Sequence, residues 1–455
     1  MNTIAKLSFL TILCLSVSSI WAGTNDLAGE ISYRFTGGNT IVAVITTYTK
    51  ESSMLADRDS LPFAWGDGTI EYLPLTTGLV DSAINDVKLN YYTGTHTYAV
   101  PPSSGFVVLS TTDPNRNAGT INISNSVNVA FYVEDTVWWS AQGGTNNGPV
   151  LLYPPVEYGY VGDTFFHNPA AYDVEADSLT FELVTPLQAA GRVVPGYISP
   201  DQIAPGPETN DQITIDPLNG EIIWATPKTA AIYDIAILIH EYRYGSLLST
   251  IERDMEIIVL DDTIAQSRLN GSFTDTVITE GTPLSLPYTG VAAGALTDSL
   301  SAYSGIFLIP GSNASFSTSP SANSVSGTLT WTPGPNQYKP RETRIVAIAG
   351  LQQSTNPRTN IRAFRVTVVD SAGTTGLAEL GYGEGLTVSP IPAVDNLYIN
   401  SSFSFSNAMI LDMTGREWPA AISGNEADIS GLPAGIYLFR CTDGGKTFVR
   451  RFIKE

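Results

Sequence analysis

The stretch ISYRFTGGNTIVAVITTYT, residues 31–49, decides the fold class of this chain. Apolar and polar side chains alternate through ISYRF and again through TIVAVITTYT, and a period of two indicates strands that bury one face. A Gly-Gly pair, which is a turn signal, separates the two runs. Residues 31–49 therefore predict two strands separated by a turn.

The same pattern continues through residues 24–140, where LPFAWG, THTYAV, GFVVLST and VNVAFYV are separated by turn residues such as DG, PP and NRN. No helical periodicity interrupts these runs. The chain has 455 residues, with 40 glycines, 28 prolines and 21 tyrosines but only 15% charged residues, and this composition favours strands and turns. Because the length exceeds what one hydrophobic core holds, we predict an all-β protein of tandem β-sandwich domains.

The charge of the chain limits its partners. Lys and Arg number 23 against 44 Asp and Glu, which gives a formal net charge of −21. Nucleic acids and anionic membrane surfaces need a basic face, so we expect no nucleic-acid partner, whereas cations and neutral partners are compatible. Cys14 and Cys441 are the two cysteines, and Cys14 lies in an N-terminal apolar stretch. Removal of that stretch would leave no internal disulfide.

Residues 1–22 have the layout of a secretory signal peptide. One positive charge, Lys6, precedes an apolar stretch from Leu7 to Val17, and small polar residues then lead to Ala22. The apolar stretch is too short and wrongly flanked for a membrane span. We expect export with cleavage after Ala22, and we expect no later transmembrane segment.

Breaks in composition divide the remaining chain into several units. Alternating apolar strands followed by Asp close two of them, and a Gly-rich stretch has little to bury and reads as a linker. NGEIIWATP and SGTLTWTPG place Trp224 and Trp331 at equivalent positions of two units, where we expect buried core anchors. The predicted boundaries are 1–22 (signal peptide), 23–143, 144–262 and 263–370 (three sandwiches), 371–385 (linker) and 386–455 (a small terminal unit).

Two motifs characterise the predicted segment 23–143: WGDGT at residues 65–69 and GTHTYAV at residues 94–100. The glycines permit a tight turn, and Asp67 can accept backbone N–H bonds across it, so we interpret Asp67 as structural. The pair resembles the PKD domain, an immunoglobulin-like sandwich with the pattern W-x-x-GDG-T followed by HTY, although Trp65 stands closer to Asp67 here. The resemblance implies an extracellular spacer or adhesive module without catalysis.

In the predicted segment 144–262, AAYDVEADSLTFELV carries Asp173, Glu175 and Asp177 at alternate positions. Carboxylates so spaced can converge on a hard cation, and calcium is the one metal for which we name these residues as ligands; no organic cofactor is expected. The alternative is a solvated acidic turn whose Asp residues cap local backbone groups. The run resembles the D-x-D-x-D-S-L motif of the cadherin-like repeats of bacterial surface proteins, with Glu in place of the middle Asp.

No catalytic constellation is evident in the sequence. HEYRYGS has Tyr244 where a zinc helix needs its second histidine, and His96, His167 and His240 fall in different strands or loops. No motif selects a carboxylate pair for glycoside hydrolysis. We therefore predict a non-enzymatic protein with no catalytic residues.

Trp138 and Trp139, in VWWSAQGGTNN, carry a second interpretation. Exposed adjacent indoles would offer a stacking platform for a carbohydrate ligand. Their position between two predicted domains instead favours an anchor at a domain interface. Both interpretations stay open at the level of the sequence.

The last unit ends in a basic segment, residues 431–455, although the chain is acidic. Its short strands NLYI, AMILDM, IYLFRC and TFVRRFI alternate with the turns TGR, LPAG and DGG. The pattern closely resembles the C-terminal sorting domain of type IX secretion over essentially all of residues 386–455. The resemblance assigns the sorting signal to Pro390, Pro392, Gly415, Arg416, Gly435, Lys446, Arg450, Arg451 and Lys454.

The resemblance implies recognition by the type IX secretion machinery at the outer membrane. Removal of the tail then usually follows, with release of the protein or its attachment to surface lipopolysaccharide. We therefore predict a non-enzymatic adhesion or structural protein that passes through the periplasm and is secreted or held at the outer cell surface. Glycans and matrix proteins are candidate partners, and the alternative function is that of a carbohydrate-binding or glycan-processing surface protein.

Overall fold

The structure is a computed structural model in which the chain forms two compact units, Met1–Val369 and Asp370–Glu455. The predicted signal peptide (1–22) and linker (371–385) lie outside the residues that it describes. The described residues are 26–52, 58–80, 86–139, 146–203, 211–243, 245–262, 268–291, 298–321, 324–335, 337, 343–352, 357–369, 386–389, 393–401, 404–412, 416–443 and 446–454.

Every described element is a β-strand or a short 3-10 helix, which confirms the predicted all-β class. The first strands are β1 (Asp26–Gly37), β2 (Thr40–Lys50), β3 (Ser60–Ala64), β4 (Ile70–Val80), β5 (Val87–Thr97), β6 (Phe106–Asp113) and β7 (Phe131–Trp138). The next strands are β8 (Val150–Leu151), β9 (Glu157–Tyr160), β10 (Phe165–His167), β11 (Ala171–Tyr172), β12 (Ser178–Val184), β13 (Leu187–Ala189), β14 (Arg192–Val193), β15 (Ile213–Ile215), β16 (Ile222–Trp224), β17 (Ala231–Arg243) and β18 (Ser246–Leu260).

The first unit ends with β19 (Arg268–Gly271), β20 (Thr276–Thr279), β21 (Leu284–Val291), β22 (Asp298–Ser304), β23 (Ser315–Pro320), β24 (Ser324–Trp331), β25 (Thr343–Gln352) and β26 (Arg358–Val369). The second unit contains β27 (Leu386–Ser389), β28 (Asn396–Ser401), β29 (Ser406–Asp412), β30 (Glu417–Trp418), β31 (Ala421–Ser423), β32 (Glu426–Asp428), β33 (Gly435–Asp443) and β34 (Lys446–Lys454). The 3-10 helices are Ser126–Asn128, Pro200–Gln202 and Gly305–Phe307.

Strand β18 closes a hydrogen-bonded circuit of eight strands. One of its edges pairs along its length with β17, while the other pairs first with β7, where Ser249 lies opposite Val137, and then with β1, where Asp254 lies opposite Gly29. From β1 the circuit runs through β2, β5, β4, β3 and β6 to β7, and every pairing is antiparallel. The 15 residues of β18 contain neither Gly nor Pro, so nothing interrupts the strand between these partners.

The predicted boundary at residues 143/144 therefore does not separate two sandwiches. Strand β18 comes from the predicted second unit, yet it is the shared neighbour of the first and last strands of the predicted first unit. Its residues from Ile251 to Ile257 are all buried, charged ones included, as a strand covered on both faces requires. The two segments consequently share one sheet and one hydrophobic core.

The strands from β19 onward form two four-stranded sheets, ordered β19-β21-β24-β23 and β20-β26-β25-β22. Trp331 of β24 is 1% exposed, as is Trp224 of β16, so both expected core anchors are buried. This segment packs on the preceding one through Arg358, whose guanidinium lies 3.5 Å from the centre of the Tyr160 ring and pairs with Asp163 at 2.7 Å.

The second unit is a small sandwich of two four-stranded sheets, β27-β28-β32-β31 and β30-β29-β33-β34. Its core includes Phe439, Phe452 and Cys441, all fully buried. Cys441 is a free thiol. Strands β33 and β34 form the basic terminal hairpin, with Gly435 opposite Lys454.

Candidate cation site and its surroundings

The acidic loop at residues 173–177 leads from β11 into β12, beside the end of β17. The Asp177 N–H donates to Asp173 Oδ1 at 2.8 Å, and Ala176 between them has a φ of 64°. This turn brings the Asp173 and Asp177 side chains next to Glu241 of β17. One oxygen from each of the three carboxylates lies within 4.8 Å of the other two.

Glu175 does not belong to this group of carboxylates. Its Oε1 accepts a hydrogen bond from the side-chain amide of Asn147 instead. Alternate residues share one side only in an extended chain, and the left-handed backbone of Ala176 breaks that alternation. Within the described part of the chain, the three carboxylates that lie together are thus Asp173, Asp177 and Glu241. Glu241 replaces Glu175 in the predicted set of calcium ligands.

Two of the three carboxylates are buried with an unsatisfied oxygen. Asp173 is 5% exposed and Glu241 is fully buried, and neither Asp173 Oδ2 nor Glu241 Oε1 has a hydrogen-bond partner among the described residues. Burial raises the pKa of Asp173 to about 7, and burial together with the Asp173 charge raises the pKa of Glu241 to about 9. A hard divalent cation would satisfy both oxygens, since calcium takes carboxylate and amide oxygens as ligands.

Arg243, the last residue of β17, is the counterion of the acidic loop. Its Nε donates to Asp177 Oδ1 at 2.9 Å, and its Nη2 donates to Asp177 Oδ2 at 2.5 Å and to Asn146 Oδ1 at 2.9 Å. The Asn146 amide donates in turn to Glu241 Oε2 at 2.8 Å, as does the Ser249 hydroxyl at 2.7 Å. Asn146 therefore links the guanidinium to the most deeply buried carboxylate.

The Asn-Asn-Gly segment at residues 146–148 ties this cluster to β1. The Phe35 N–H donates to Asn147 Oδ1 at 3.0 Å, and the Gly148 N–H donates to the Tyr33 carbonyl at 3.2 Å. A Cβ on Gly148 would lie 2.6 Å from a carbon of the Tyr33 ring, so only glycine fits this approach. The acidic cluster and the first strand are thus held by the same short segment.

A cavity of about 250 Å³ adjoins the acidic loop. Its walls include Tyr172, Asp173 and Asp177 on one side and Arg344 of β25 on the other. This volume is large enough to hold several water molecules beside the loop.

A second cluster of buried charges centres on Arg116, which is 1% exposed. Its Nη1 donates to Asp234 Oδ2 at 2.7 Å, and its Nη2 donates to Asp254 Oδ2 at 2.6 Å and to the Leu187 carbonyl at 2.8 Å. Asp234 lies on β17 and Asp254 on β18, while Arg116 lies between β6 and β7. This ion-pair cluster therefore fixes the connection before β7 to the shared strands.

Glu256 of β18 extends this buried cluster. Its carboxylate accepts hydrogen bonds from the Asn117 amide at 2.9 Å and from the Thr120 hydroxyl at 3.2 Å. Burial raises the pKa of Glu256 to about 8, and it also raises the pKa of Asp234, although Arg116 opposes the latter shift. Because these groups are enclosed, we assign them to the fold rather than to contact with a ligand.

Trp138 and Trp139 do not form one platform. Trp139 packs edge-on against Phe35 and Tyr98, with ring centres 5.1 and 5.0 Å apart, and borders the hydrophobic core. Trp138 lies beside Phe106, with ring centres 5.8 Å apart, and Phe106 is 39% exposed. Adjacent residues of an extended chain point to opposite faces, which separates the two indoles.

The outer face of β3 and β4 carries an exposed apolar surface, here called the outer patch, made of Pro62, Ala64, Ile70 and Tyr72. Tyr72 lies opposite Pro62 and Ile70 lies opposite Ala64 in the register of the two strands. Ile70 is 67% exposed and Tyr72 is 71% exposed. The intervening Phe63 faces the core and is fully buried, so the outer patch occupies the opposite side of a well-packed sheet.

Asp67 organises the turn between β3 and β4. Its Oδ1 accepts the Thr69 N–H at 2.9 Å, and its Oδ2 lies 2.8 Å from His96 Nε2. The His96 ring stacks on Trp65, with centres 5.1 Å apart. The two quoted motifs thus meet around one aspartate, in the structural role expected for it.

Several predicted sorting residues are described in the second unit. The Arg416 guanidinium lies over a tryptophan ring at 4.7 Å, and the Arg450 Nε donates to the Leu386 carbonyl at 2.6 Å. Lys454, opposite Gly435, is 8% exposed. Pro390, Pro392 and Gly415, and the side chains of Lys446 and Arg451, lie outside the described residues.

Comparison with known proteins identifies the second unit. Residues 387–455 match the family described as secretion system C-terminal sorting domain. No curated protein matches the chain. The chain carries a type IX secretion sorting domain at its C-terminus, as the sequence predicts, and the protein is secreted or exposed at the cell surface.

Solved structures similar to the chain include fragments of titin and of two protocadherins. A chimeric titin Z1Z2-Z1Z2 tandem functionalized with a GRGDS exogenous peptide from fibronectin shows 9% identity and a TM-score of 0.18, over 49% of this chain and 100% of that chain. Protocadherin gamma B2 extracellular cadherin domains 3-6 show 11% identity and a TM-score of 0.18, over 68% of this chain and 73% of that chain. Protocadherin gamma B7 extracellular cadherin domains 1-4 show 12% identity and a TM-score of 0.16, over 73% of this chain and 72% of that chain.

The TM-scores are too low to carry an argument about arrangement or function.

Within the described residues, no helix has the length and hydropathy needed to cross a membrane. The sorting domain, which is itself a small β-sandwich, indicates an interaction with the type IX secretion machinery.

Proposed function

We propose that the protein is a non-enzymatic adhesion protein of the cell surface, exported by type IX secretion, whose first unit presents the outer patch to a partner. The observation that carries this proposal is the exposure of Ile70 and Tyr72 on a sheet whose other face is packed. Contiguous exposed apolar surface on an extracellular domain is a mark of contact with another molecule. Matrix proteins, glycans and surface lipopolysaccharide are the candidate partners.

The burial of the charged clusters supports a non-enzymatic role. A hydrolase needs carboxylates that reach a substrate, one of them with a raised pKa. The carboxylates with raised pKa values in the two clusters are each 5% exposed or less, and they include Asp173, Glu241, Asp234 and Glu256. Their shifts follow from burial in the sheet, and they serve packing and cation binding instead.

Replacing both Ile70 and Tyr72 with serine will reduce adhesion without unfolding the protein. The exposed positions contribute little to the core, so thermal unfolding should stay within about 2 °C of the wild type. Beads coated with the mature chain should adhere to immobilised matrix protein or to whole cells, and the double variant should lose about tenfold in bound beads.

Val277→Ser is the matched control for this experiment. Val277 is 62% exposed on β20, in a different sheet, so its replacement should leave adhesion unchanged. Equal adhesion by the wild type and the Ile70/Tyr72 variant would remove the outer patch from the proposal.

Glycan binding is the second candidate function, favoured by the Trp138 and Phe106 pair on the outer side of β6 and β7. Aromatic rings on an open face stack against sugar rings. A glycan array probed with the wild type, Trp138→Ala and Phe106→Ala distinguishes the two functions. Specific glycan binding that both substitutions abolish would favour this candidate, whereas Trp139→Ala is unsuitable because it would damage the core.

Calcium will raise the thermal stability of the first unit through Asp173, Asp177 and Glu241. A ligand at about 100 times its Kd stabilises the folded state by about 2.7 kcal/mol, which corresponds to several degrees in Tm for a unit of this size. Calorimetry of the mature chain in EDTA and in calcium measures the shift. Asp173→Asn should reduce it strongly, because the substitution removes a charged oxygen ligand.

The control for the calcium experiment is Asp86→Asn. Asp86 is an exposed carboxylate that accepts hydrogen bonds from Ser52, and neither residue lines the cavity beside the acidic loop, so its loss should preserve the calcium response. A wild-type Tm that is identical in EDTA and calcium would show that the cluster does not bind the ion.

A further inference from the structure

We propose that Arg243 is a displaceable counterion of the cation site, which competes with a divalent cation for Asp177 and Asn146 and thereby sets the concentration at which the site fills. This inference rests on the proposed cation site. It adds Asn146 to the oxygen ligands and gives Arg243 a regulatory role.

The contacts of Arg243 define the competition. The guanidinium engages both oxygens of Asp177 and the side-chain carbonyl of Asn146. Carboxylate and amide oxygens are also the atoms that calcium takes as ligands. Asp177 and Asn146 are therefore partners that the guanidinium and a cation would share.

Asn146 is placed to become a fourth protein ligand. Its amide nitrogen is fixed by donation to Glu241 Oε2 at 2.8 Å, so its carbonyl oxygen is oriented toward Arg243 at the edge of the cluster. When the guanidinium leaves, that oxygen loses its hydrogen-bond donor. Asp173, Asp177, Glu241 and Asn146 would then offer four oxygen ligands, and water from the adjoining cavity could complete the coordination of calcium.

The Arg243 guanidinium and a divalent cation weaken each other's binding to the cluster, because both are positively charged. The guanidinium pairs with Asp177, whereas Asp173 and Glu241 each keep a buried oxygen without a hydrogen-bond partner among the described residues, and a divalent cation would bind these oxygens. A cation placed beside the guanidinium is repelled by it, and the repulsion is strong where the dielectric is low. Binding of the ion therefore requires Arg243 to weaken or release its hold on Asp177.

Arg243 is able to move away, whereas the carboxylates are not. Its side chain is 27% exposed at the end of β17, while the Asp177 side chain is 6% exposed and Glu241 is fully buried. A long arginine side chain readily extends its charge into water while its methylene groups stay packed. Release of Arg243 therefore needs a side-chain rotation and no movement of the strands.

Titration of the full mature chain with calcium by isothermal calorimetry tests this inference, using wild type, Arg243→Gln and Arg58→Gln. Arg58 is a matched control, because it also pairs with an aspartate, Asp113, through two nitrogens. The Arg58 and Asp113 side chains are 32% and 4% exposed, and those of Arg243 and Asp177 are 27% and 6% exposed. We expect Arg243→Gln to bind calcium about tenfold more tightly than wild type, and Arg58→Gln to bind it as wild type does.

Asp177→Asn in the Arg243→Gln background should remove the gained affinity, which places the gain at this site. Wild-type binding that Arg243→Gln leaves unchanged or weakens would overturn the role of Arg243 while leaving the cation site intact. Absence of binding in both proteins up to about 10 mM calcium, above the usual range of extracellular calcium modules, would overturn the cation site itself. Thermal unfolding in EDTA confirms that each variant is folded.

Discussion

Residues 23–143 expressed alone will show no cooperative thermal unfolding. Strands β1 and β7 both lose their shared neighbour β18 when the chain is cut there, so the eight-strand circuit opens. The core also loses Ile251, Met255 and Ile257, each 1% exposed or less. Burial of such side chains contributes about 1.5–3 kcal/mol each, and the three together approach the net stability of about 5–15 kcal/mol of an entire domain.

Circular dichroism melting and limited proteolysis measure this effect. The fragment 386–455 is the positive control, because it keeps all the strands of its own two sheets and should melt cooperatively. Mixing 23–143 with 144–369 should restore protease resistance by supplying β18. Cooperative melting of 23–143 by itself, within about 10 °C of the intact chain, would contradict the shared-core interpretation.

Arg116→Met will lower the free energy of unfolding by about 3–5 kcal/mol, because it leaves the buried carboxylates of Asp234 and Asp254 without their cation. Asp234 is 2% exposed and Asp254 is fully buried, so water cannot replace the guanidinium. Methionine has similar length to the arginine stem, and the effect therefore reports charge more than volume. Chemical denaturation of the mature chain measures it.

Arg365→Met supplies the comparison for Arg116. Arg365 also binds an aspartate, Asp275, through two nitrogens, but these side chains are 28% and 46% exposed, so the expected loss is only about 0–1 kcal/mol. Adding Asp234→Asn and Asp254→Asn to Arg116→Met should recover part of the lost stability, because these two positions then no longer hold buried charges without their cation. Equal losses for Arg116→Met and Arg365→Met would refute the assignment.

The sequence was sufficient for features that depend on neighbouring residues. Alternation in residues 31–49 predicted β1, β2 and the turn between them, and the structure has those strands. The turn chemistry around Asp67 and the burial of Trp224 and Trp331 were predicted in the same way. The sorting domain was recognised because its turn motifs recur in a family.

Features that depend on pairing between distant strands were not accessible from the sequence. Nothing local in SLLSTIERDMEIIVL shows that one edge of β18 serves β7 and then β1. The alternate acids Glu252, Asp254 and Glu256 in that strand were a signal, since three acids on one face of a buried strand require a cation or protons. The partner Arg116 lies 138 residues before Asp254, a separation at which no motif spacing applies.

The candidate site was predicted in part for the same reason. Asp173 and Asp177 come from one loop and were found by their spacing, whereas Glu241 reaches the cluster only because β17 lies beside β12. Glu241 and Arg243 lie on β17, but their partners, Asn146 and Asp177, lie on loops. Loop conformation, here the left-handed Ala176, decides which carboxylates meet.

The closed circuit also bears on aggregation. An open sheet edge exposes unpaired N–H and C=O groups that can template the addition of strands from another molecule. Each of the eight strands from β1 to β7 and β18 has a hydrogen-bonded neighbour on both sides, so this part of the surface offers no such template along the paired residues. Molecules crowded together outside the cell can therefore touch through side chains without merging their sheets.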